Sequence, residues 1–211
     1  MKIIILVLSY NDDGLYTEMC EAQKKTWDSV EVENIKTYYY FGNGDEDKII
    51  GNTIITTIKE GIPNCGYKTI KCFELIKDLD FDFVFRTNSS SYVDKEMLME
   101  LVKTKNKTKH YSGVIGNSDG VTFASGSGYL ISKDVMLKLI ENKYLTNNSL
   151  IDDVSFAEVL SKLEIYPESN QRYDVVGDCA PSNYFHYRLY SSNRYNDINN
   201  MYKIFELKKI K

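Results

Sequence analysis

The residues with the clearest chemical capacity stand in one polar run, Arg86-Thr87-Asn88-Ser89-Ser90-Ser91, directly after the apolar stretch Phe81 to Phe85. Small hydroxyl and amide side chains supply both donors and acceptors, which is what a sugar or a ribose requires. Arg86 adds a permanent cation in a fork geometry suited to phosphate. The same side chains serve equally well in a serine-rich turn that bonds local backbone and caps the next helix. A second group is Gly126-Ser127-Gly128, where the absence of side chains lets backbone approach a ligand closely, or simply forms a tight turn before a strand at Tyr129. A third is Asp152-Asp153, two carboxylates opening a predicted helix, a position the helix dipole favours in its own right. Lys68 either reaches an anion or rides the solvated face of an amphipathic helix.

These groups need elements to hold them. Lys2 to Leu8 reads as a buried parallel strand that empties into Ser9-Tyr10-Asn11-Asp12-Asp13-Gly14. Thr17 to Trp27 has helical spacing, with Met19, Ala22 and Trp27 on one face. Val32 to Phe41 and Thr53 to Ile58 are rich in β-branched and aromatic residues and read as strands, each closed by glycine-containing turns. Helices are expected over Tyr67 to Leu79, Lys95 to Lys103, Lys133 to Asn142 and Asp152 to Leu163. Strands are expected at Phe81 to Phe85, Tyr111 to Ile115 and Gly128 to Ile131, and the chain from about Pro167 onward reads as irregular and aromatic. In open α/β sheets ligands lie outside the carboxyl ends of the strands, which is where Ser9 to Asn11 and the run after Phe85 fall.

The chain has 211 residues, 43% hydrophobic and 27% charged, with a net charge of −4. That fits one α/β domain with a real core, expected to span residues 1–211. The acidic balance argues against nucleic acid as a partner, since phosphate neutralisation needs a basic surplus. No apolar run approaches the length of a membrane span, and the first strand lacks the marks of a signal peptide. A soluble protein is expected, in the cytoplasm of a bacterium, or of the host if the source is viral. Cys20, Cys65, Cys72 and Cys179 show no metal spacing, and reduced thiols are expected.

Read in order, these pieces resemble the fringe and β-1,3-galactosyltransferase group of GT-A glycosyltransferases. In that group the strand ends in a pattern like Lys-Thr-Asp-Asp-Asp-Val, on which Arg86-Thr87-Asn88-Ser89-Ser90-Ser91-Tyr92-Val93 falls with Thr87 and Val93 retained. Lys24-Lys25-Thr26-Trp27 resembles the early Arg-x-Thr-Trp element, and Tyr38-Tyr39-Tyr40-Phe41-Gly42 the second strand and its glycine. Asn64 to Lys71 resembles the family's Asn-Leu-Thr-x-Lys-Thr helix start. Ala124-Ser125-Gly126-Ser127-Gly128-Tyr129 resembles its Ser-Gly-x-Gly-Tyr, and Asp152-Asp153-Val154 its Glu-Asp-Val. The order and spacing carry more weight than any single piece.

The resemblance implies a Rossmann-like, mainly parallel sheet flanked by helices. It also implies an inverting transfer of sugar from a nucleotide-sugar donor, UDP-linked, to a glycan hydroxyl. Asp153 then falls on the position of the catalytic base, with Asp152 as its rival. Ser9, Tyr10 and Asn11 lie where base and ribose are held, with Tyr10 either stacking on uracil or buried in the core. Lys68, Arg86, Thr87, Asn88, Ser90 and Arg188 belong to the donor side, and Gly126, Ser127 and Gly128 to the sugar or acceptor.

One departure stands out. The family's aspartate cluster binds a divalent cation, generally manganese, whereas this chain offers Asn88, Ser89 and Ser90 with no carboxylate among them. Asp94 follows too late to replace them. His186 matches the family's second metal ligand in position, or is a half-buried ring in an aromatic tail. No cofactor is therefore expected, with manganese held by His186 as the alternative, and Arg86, Arg188 or Arg194 is expected to neutralise the leaving diphosphate in place of manganese. Two alternatives stand beside this reading. One is a catalytically inactive relative that binds nucleotide or glycan, which the missing aspartates favour. The other is an unrelated nucleotide-binding α/β domain.

Overall fold

A computed structural model describes residues 1–12, 14–147, 149–177 and 183–209. Its centre is an eight-stranded sheet ordered β3-β4-β2-β1-β5-β8-β7-β9. These strands are β1 Ile3–Leu8, β2 Ile35–Phe41, β3 Lys48–Ile50, β4 Thr53–Ile55, β5 Phe83–Asn88, β7 Tyr111–Ser118, β8 Val121–Ser132 and β9 Glu168–Ser169. β1 runs parallel to both β2 and β5, while β8 is antiparallel to β5 and to β7. A second, three-stranded sheet has the order β10-β11-β6, from β6 Ser91–Val93, β10 Tyr173–Val175 and β11 His186–Leu189.

The alternation along β1 explains the layering. Ile3, Ile5 and Val7 enter one core with the small sheet and helices α1 (Leu15–Lys25), α3 (Lys95–Lys103) and α6 (Tyr195–Lys209). Ile4 and Leu6 enter the other, against α2 (Cys65–Ile76), α4 (Lys133–Glu141) and α5 (Asp152–Lys162). A strand apolar on both faces is what a helix-covered parallel sheet demands. Met19, Ala22 and Trp27 share the buried face expected of them. Asp94 ends as the N-cap of α3, accepting the Met97 amide at 3.0 Å and pairing with Lys208 at 2.6 Å.

Three expectations are corrected. First, β5 continues three residues past Phe85, so Arg86, Thr87 and Asn88 belong to the sheet, and only Ser89 and Ser90 form the turn before β6. Second, Gly126-Ser127-Gly128 lies inside the 12-residue β8 and is not a turn. Third, the described residues after Pro167 are not irregular: they hold β9, β10, β11 and the 15-residue α6. Of the four cysteines, Cys20, Cys65 and Cys72 are free, and Cys179 lies outside the described residues, as does Asp13. Among the described residues no helix is long and apolar enough to cross a membrane.

Candidate active site at the carboxyl edge of the sheet

Parallel register brings the ends of three strands level: Leu8 pairs with Tyr40 on one side and with Asn88 on the other. Ser9 then donates its amide to Tyr40 at 3.1 Å, and Ser89 donates to Leu8 at 3.2 Å. The two polar turns therefore leave the sheet side by side and open a cleft of about 480 Å³. Leu8, Ser9, Tyr10 and Tyr16 line one wall, Asn88, Ser89 and Ser90 another, and Glu60, Gly61, Ile62, Cys65 and Lys68 a third. Tyr10 is 43% exposed and meets Tyr16 edge to face at 5.9 Å, so its ring belongs to the cleft and not to the core. Asn11 is exposed and does not line the cleft.

Lys68 is neither solvated nor a free cation. Its ammonium is buried, donating to the Ser9 carbonyl at 2.9 Å and to Glu60 Oε2 at 2.5 Å. Glu60, which the sequence reading did not single out, in turn accepts the Gly42 amide. The ion pair thus ties α2 to the ends of β1 and β2 and presents a neutralised charge to the cleft.

Arg86 is equally committed. Alternation along β5 turns it away from Thr87 and into the core layer shared with α2 and α5, where it is 1% exposed. Its Nη2 meets Asp152 Oδ2 at 2.5 Å, its Nε donates to the Tyr40 hydroxyl at 3.1 Å, and its Nη1 donates to the Gly126 carbonyl. The guanidinium also lies 5.7 Å from the centre of the Tyr129 ring. Each of its three nitrogens is bonded inside the protein, so Arg86 is turned away from a diphosphate in the cleft.

Asp153 occupies the first turn of α5 and is 7% exposed. Its Oδ2 accepts the Gly126 amide at 2.6 Å, and its Oδ1 accepts the Val154 amide at 3.0 Å. Burial pushes its carboxyl above the ordinary range and neighbouring Asp152 adds to this, while the Gly126 amide and Arg86 oppose it. A carboxylate raised in this way is a better proton acceptor than an ordinary aspartate.

The glycines of β8 turn out to serve the protein's own packing. A Cβ on Gly126 would sit 3.0 Å from Asp153 Oδ2 and 3.2 Å from Arg86 Nη1. A Cβ on Gly128 would fall 2.2 Å from His186 Cε1. The His186 ring is held between Phe85, at 5.3 Å, and Ser91 Oγ, at 3.0 Å from Nε2. Gly128→Ala should therefore destabilise the fold by about 1–3 kcal/mol, the usual cost of overpacking. Thermal unfolding measures this, and an unchanged or raised midpoint would contradict the packing.

His186 belongs to a buried network. Thr87 Oγ1 donates to the Ser127 carbonyl at 2.7 Å and bonds Ser91 Oγ at 2.7 Å, and Ser91 connects to His186. Burial, helped by Arg172 and Arg188, pulls the imidazole down to about 3, so it is neutral. The groups at the family's metal-binding positions are engaged within the protein. Asn88 Oδ1 accepts the Ser90 amide, Ser90 Oγ accepts Arg194, and His186 is turned onto Ser91. Among the described residues no group of three His, Cys, Asp or Glu could hold a metal ion.

Three further arginines lie in the C-terminal part, one of them in contact with a residue of the cleft wall. Arg194 pairs with Asp197 at 2.6 Å and reaches Ser90 on the cleft rim. Arg188 stacks on the exposed Tyr190 ring at 4.6 Å, and among the described residues no carboxylate lies within ion-pair distance of it. Arg172 donates to Ser127 Oγ and to Ser125 Oγ, and pairs with Asp174. Nothing in the local sequence marks Arg172, whose partners lie 45 and 47 positions away.

No family model matches the chain. Beta-1,3-galactosyltransferase 5 of Mus musculus is 24% identical over 202 residues, covering 78% of this chain and 65% of the relative, so the chain spans less than two thirds of that protein. The crystal structure of a glycosyltransferase involved in glycosylation of the major capsid of PBCV-1 superposes with a TM-score of 0.56 at 11% identity. It covers 96% of this chain and 100% of that one. The fold is that of the GT-A glycosyltransferases. Staphylococcus aureus TarS shares it, with a TM-score of 0.51 and 13% identity over 94% of this chain and 38% of that one. So does the 4-diphosphocytidyl-2C-methyl-D-erythritol synthase of Anaerococcus prevotii, at 0.52 and 14% over 80% of this chain and 86% of that one. In this GT-A sheet Cys65 stands on the cleft wall, its thiol pushed up by burial and then by the charge of Asp152, against which Arg86 and Lys68 act.

Proposed function

We propose that this protein is an inverting glycosyltransferase that moves a sugar from a nucleotide-sugar donor, UDP-linked, to a glycan hydroxyl without a divalent metal. The observation that carries the reading is Asp153: a buried carboxylate with raised proton affinity, anchored on Gly126 at the same sheet edge as an aromatic-walled cleft. The fold supports it, as does the similarity to a mammalian β-1,3-galactosyltransferase.

In this scheme the donor base lies against Tyr10 and Tyr16, with the ribose near Asn88 and Ser89. Asp153 takes the proton of the acceptor hydroxyl as that oxygen bonds to the anomeric carbon. The bond from the anomeric carbon to the phosphate oxygen breaks, and its electron pair leaves with the diphosphate. The charge that develops there is met by Arg194, at the rim beside Ser90, and by Arg188. Arg86 and Lys68 shape the site without touching the phosphates, because their charges are already paired. His186 stays a structural imidazole.

The test is ligand stabilisation. UDP at about 100 times its Kd should stabilise the protein by about 2.7 kcal/mol, which for this size raises the unfolding midpoint by roughly 5–10 °C. The shift should be equal in manganese and in EDTA. Arg188→Ala and Arg194→Ala should each weaken UDP binding by roughly 10-fold to 100-fold, the worth of a charge-assisted hydrogen bond. No shift with UDP removes the donor assignment, and a shift seen only with manganese removes the metal-free one.

A further inference from the structure

Two adjacent carboxylates at the start of one helix leave open which of them acts and how they are kept apart in role. Arg86 divides them. Its Nη2 binds Asp152 at 2.5 Å while its Nη1 holds the carbonyl of Gly126, whose amide is donated to Asp153 at 2.6 Å. Gly126 is thereby gripped at both its polar groups, by the cation on one and by the second carboxylate on the other. The space for a side chain at that point is taken by the same two residues. Tyr40 fixes the third nitrogen of the guanidinium and is itself fixed by Thr69 at 2.9 Å, so the fork cannot swing.

We propose that Arg86 is a positioning residue: it commits Asp152 to a structural ion pair, sets the first turn of α5 against β8, and leaves Asp153 as the carboxylate that accepts the proton. The assignment of Asp153 as the base rests on the function proposed above; the division of roles rests on geometry alone. One cation stands beside two carboxylates, Asp153 buried and Asp152 partly buried, so Asp153 experiences a like charge that raises its carboxyl and an opposite charge that lowers it. The groups that face the pair are Arg86 of β5, Asp152 of the same helix, Tyr111 of β7, Tyr129 of β8, Tyr40 of β2 and Cys65 of α2. Of these only Arg86 is a cation, so beside burial and the Gly126 amide it is the Arg86–Asp152 pair that sets the charge acting on Asp153.

The test is a carboxyl-carbon NMR titration of Asp153, its signal assigned by loss in Asp153→Asn. Asp152→Asn removes the like charge and keeps the cation, so the Asp153 midpoint should fall relative to the unaltered protein. Arg86→Met removes the cation and leaves the like charge, so it should rise. The double variant loses both and should return close to the starting value. Where Arg86→Met alone does not fold, the comparison of Asp152→Asn with the double variant decides: the midpoint must fall in the first and recover in the second. A midpoint that stays put in Asp152→Asn, or moves in the same direction in both single variants, overturns the proposal. The titration needs no turnover, so it separates this arrangement from the transferase reading. Where turnover is observed, the acid limb of kcat/KM should move down with the Asp153 midpoint in Asp152→Asn, which a merely structural role for the pair would not produce.

Discussion

Asp153→Asn is expected to lower turnover by about 10²–10⁴-fold while leaving UDP affinity unchanged, the range supplied by a general base. Asparagine has the same shape and keeps a carbonyl oxygen for the Gly126 amide, so the contact at 2.6 Å survives, while the acceptor for the Val154 amide and the proton acceptor are lost. The cleft is lined by other residues, which is why binding should be spared. Steady-state and single-turnover rates, set beside UDP titration, separate the two effects. A base works only when deprotonated. Because burial raises the carboxyl of Asp153, activity should be present above that raised pKa and fall as pH drops through it. The acid limb therefore lies above the range of an exposed aspartate. Unaltered turnover in Asp153→Asn would return the role to Asp152 or remove the chemistry altogether.

Arg86→Met should give the largest loss of stability of any single change at the site. The methionine fills most of the volume but leaves the partly buried Asp152 without its cation, strands the Gly126 carbonyl and leaves the Tyr40 hydroxyl with Thr69 alone. Breaking one side of a buried ion pair costs about 3–5 kcal/mol. For a chain of this length that is a fall of roughly 6–20 °C in the unfolding midpoint. Replacing Arg86 and Asp152 together by apolar residues should recover much of the loss, since a buried pair is often nearly neutral overall. By contrast, Glu100→Ala breaks the exposed pair with Lys103 and should change stability by less than about 1 kcal/mol. Thermal unfolding of the three variants checks the order.

The layering of the fold was open to reading because its signals are local. The continuous apolar run of β1 and the helical spacing of Met19, Ala22 and Trp27 each reflect a neighbour a few residues away. The hairpin of β7 and β8 was read only at its inner ends, although Asp119-Gly120, both with positive φ, marks its turn in the sequence. α6 was missed for a different reason. Its apolar positions Ile198, Met201, Ile204 and Phe205 are diluted by asparagine, lysine and tyrosine, and its face exists only by packing on the core that contains α1.

The site was legible as a set of residues but not as a set of roles. Asp153, Arg86 and Gly126 do meet, Gly126 making room for Asp153 and Arg86 while Gly128 makes room for His186. Arg86 looked like a phosphate ligand because its strand was taken to end at Phe85. Three more strand residues turn its side chain inward, and no local pattern records that Asp152, 66 positions on, waits there. Lys68 is neutralised by Glu60 through a contact between a loop and a helix, again without a periodic signal. Pairing across the fold decides which charges remain for a substrate, and that pairing is tertiary.

The most direct test of the whole account is UDP release from a panel of UDP-sugars in EDTA, measured for the unaltered protein and for Asp153→Asn. The account predicts release from at least one donor, equal with and without manganese, and its loss in the variant. Release that requires manganese, or that persists in Asp153→Asn, would contradict it, as would the absence of release from every donor.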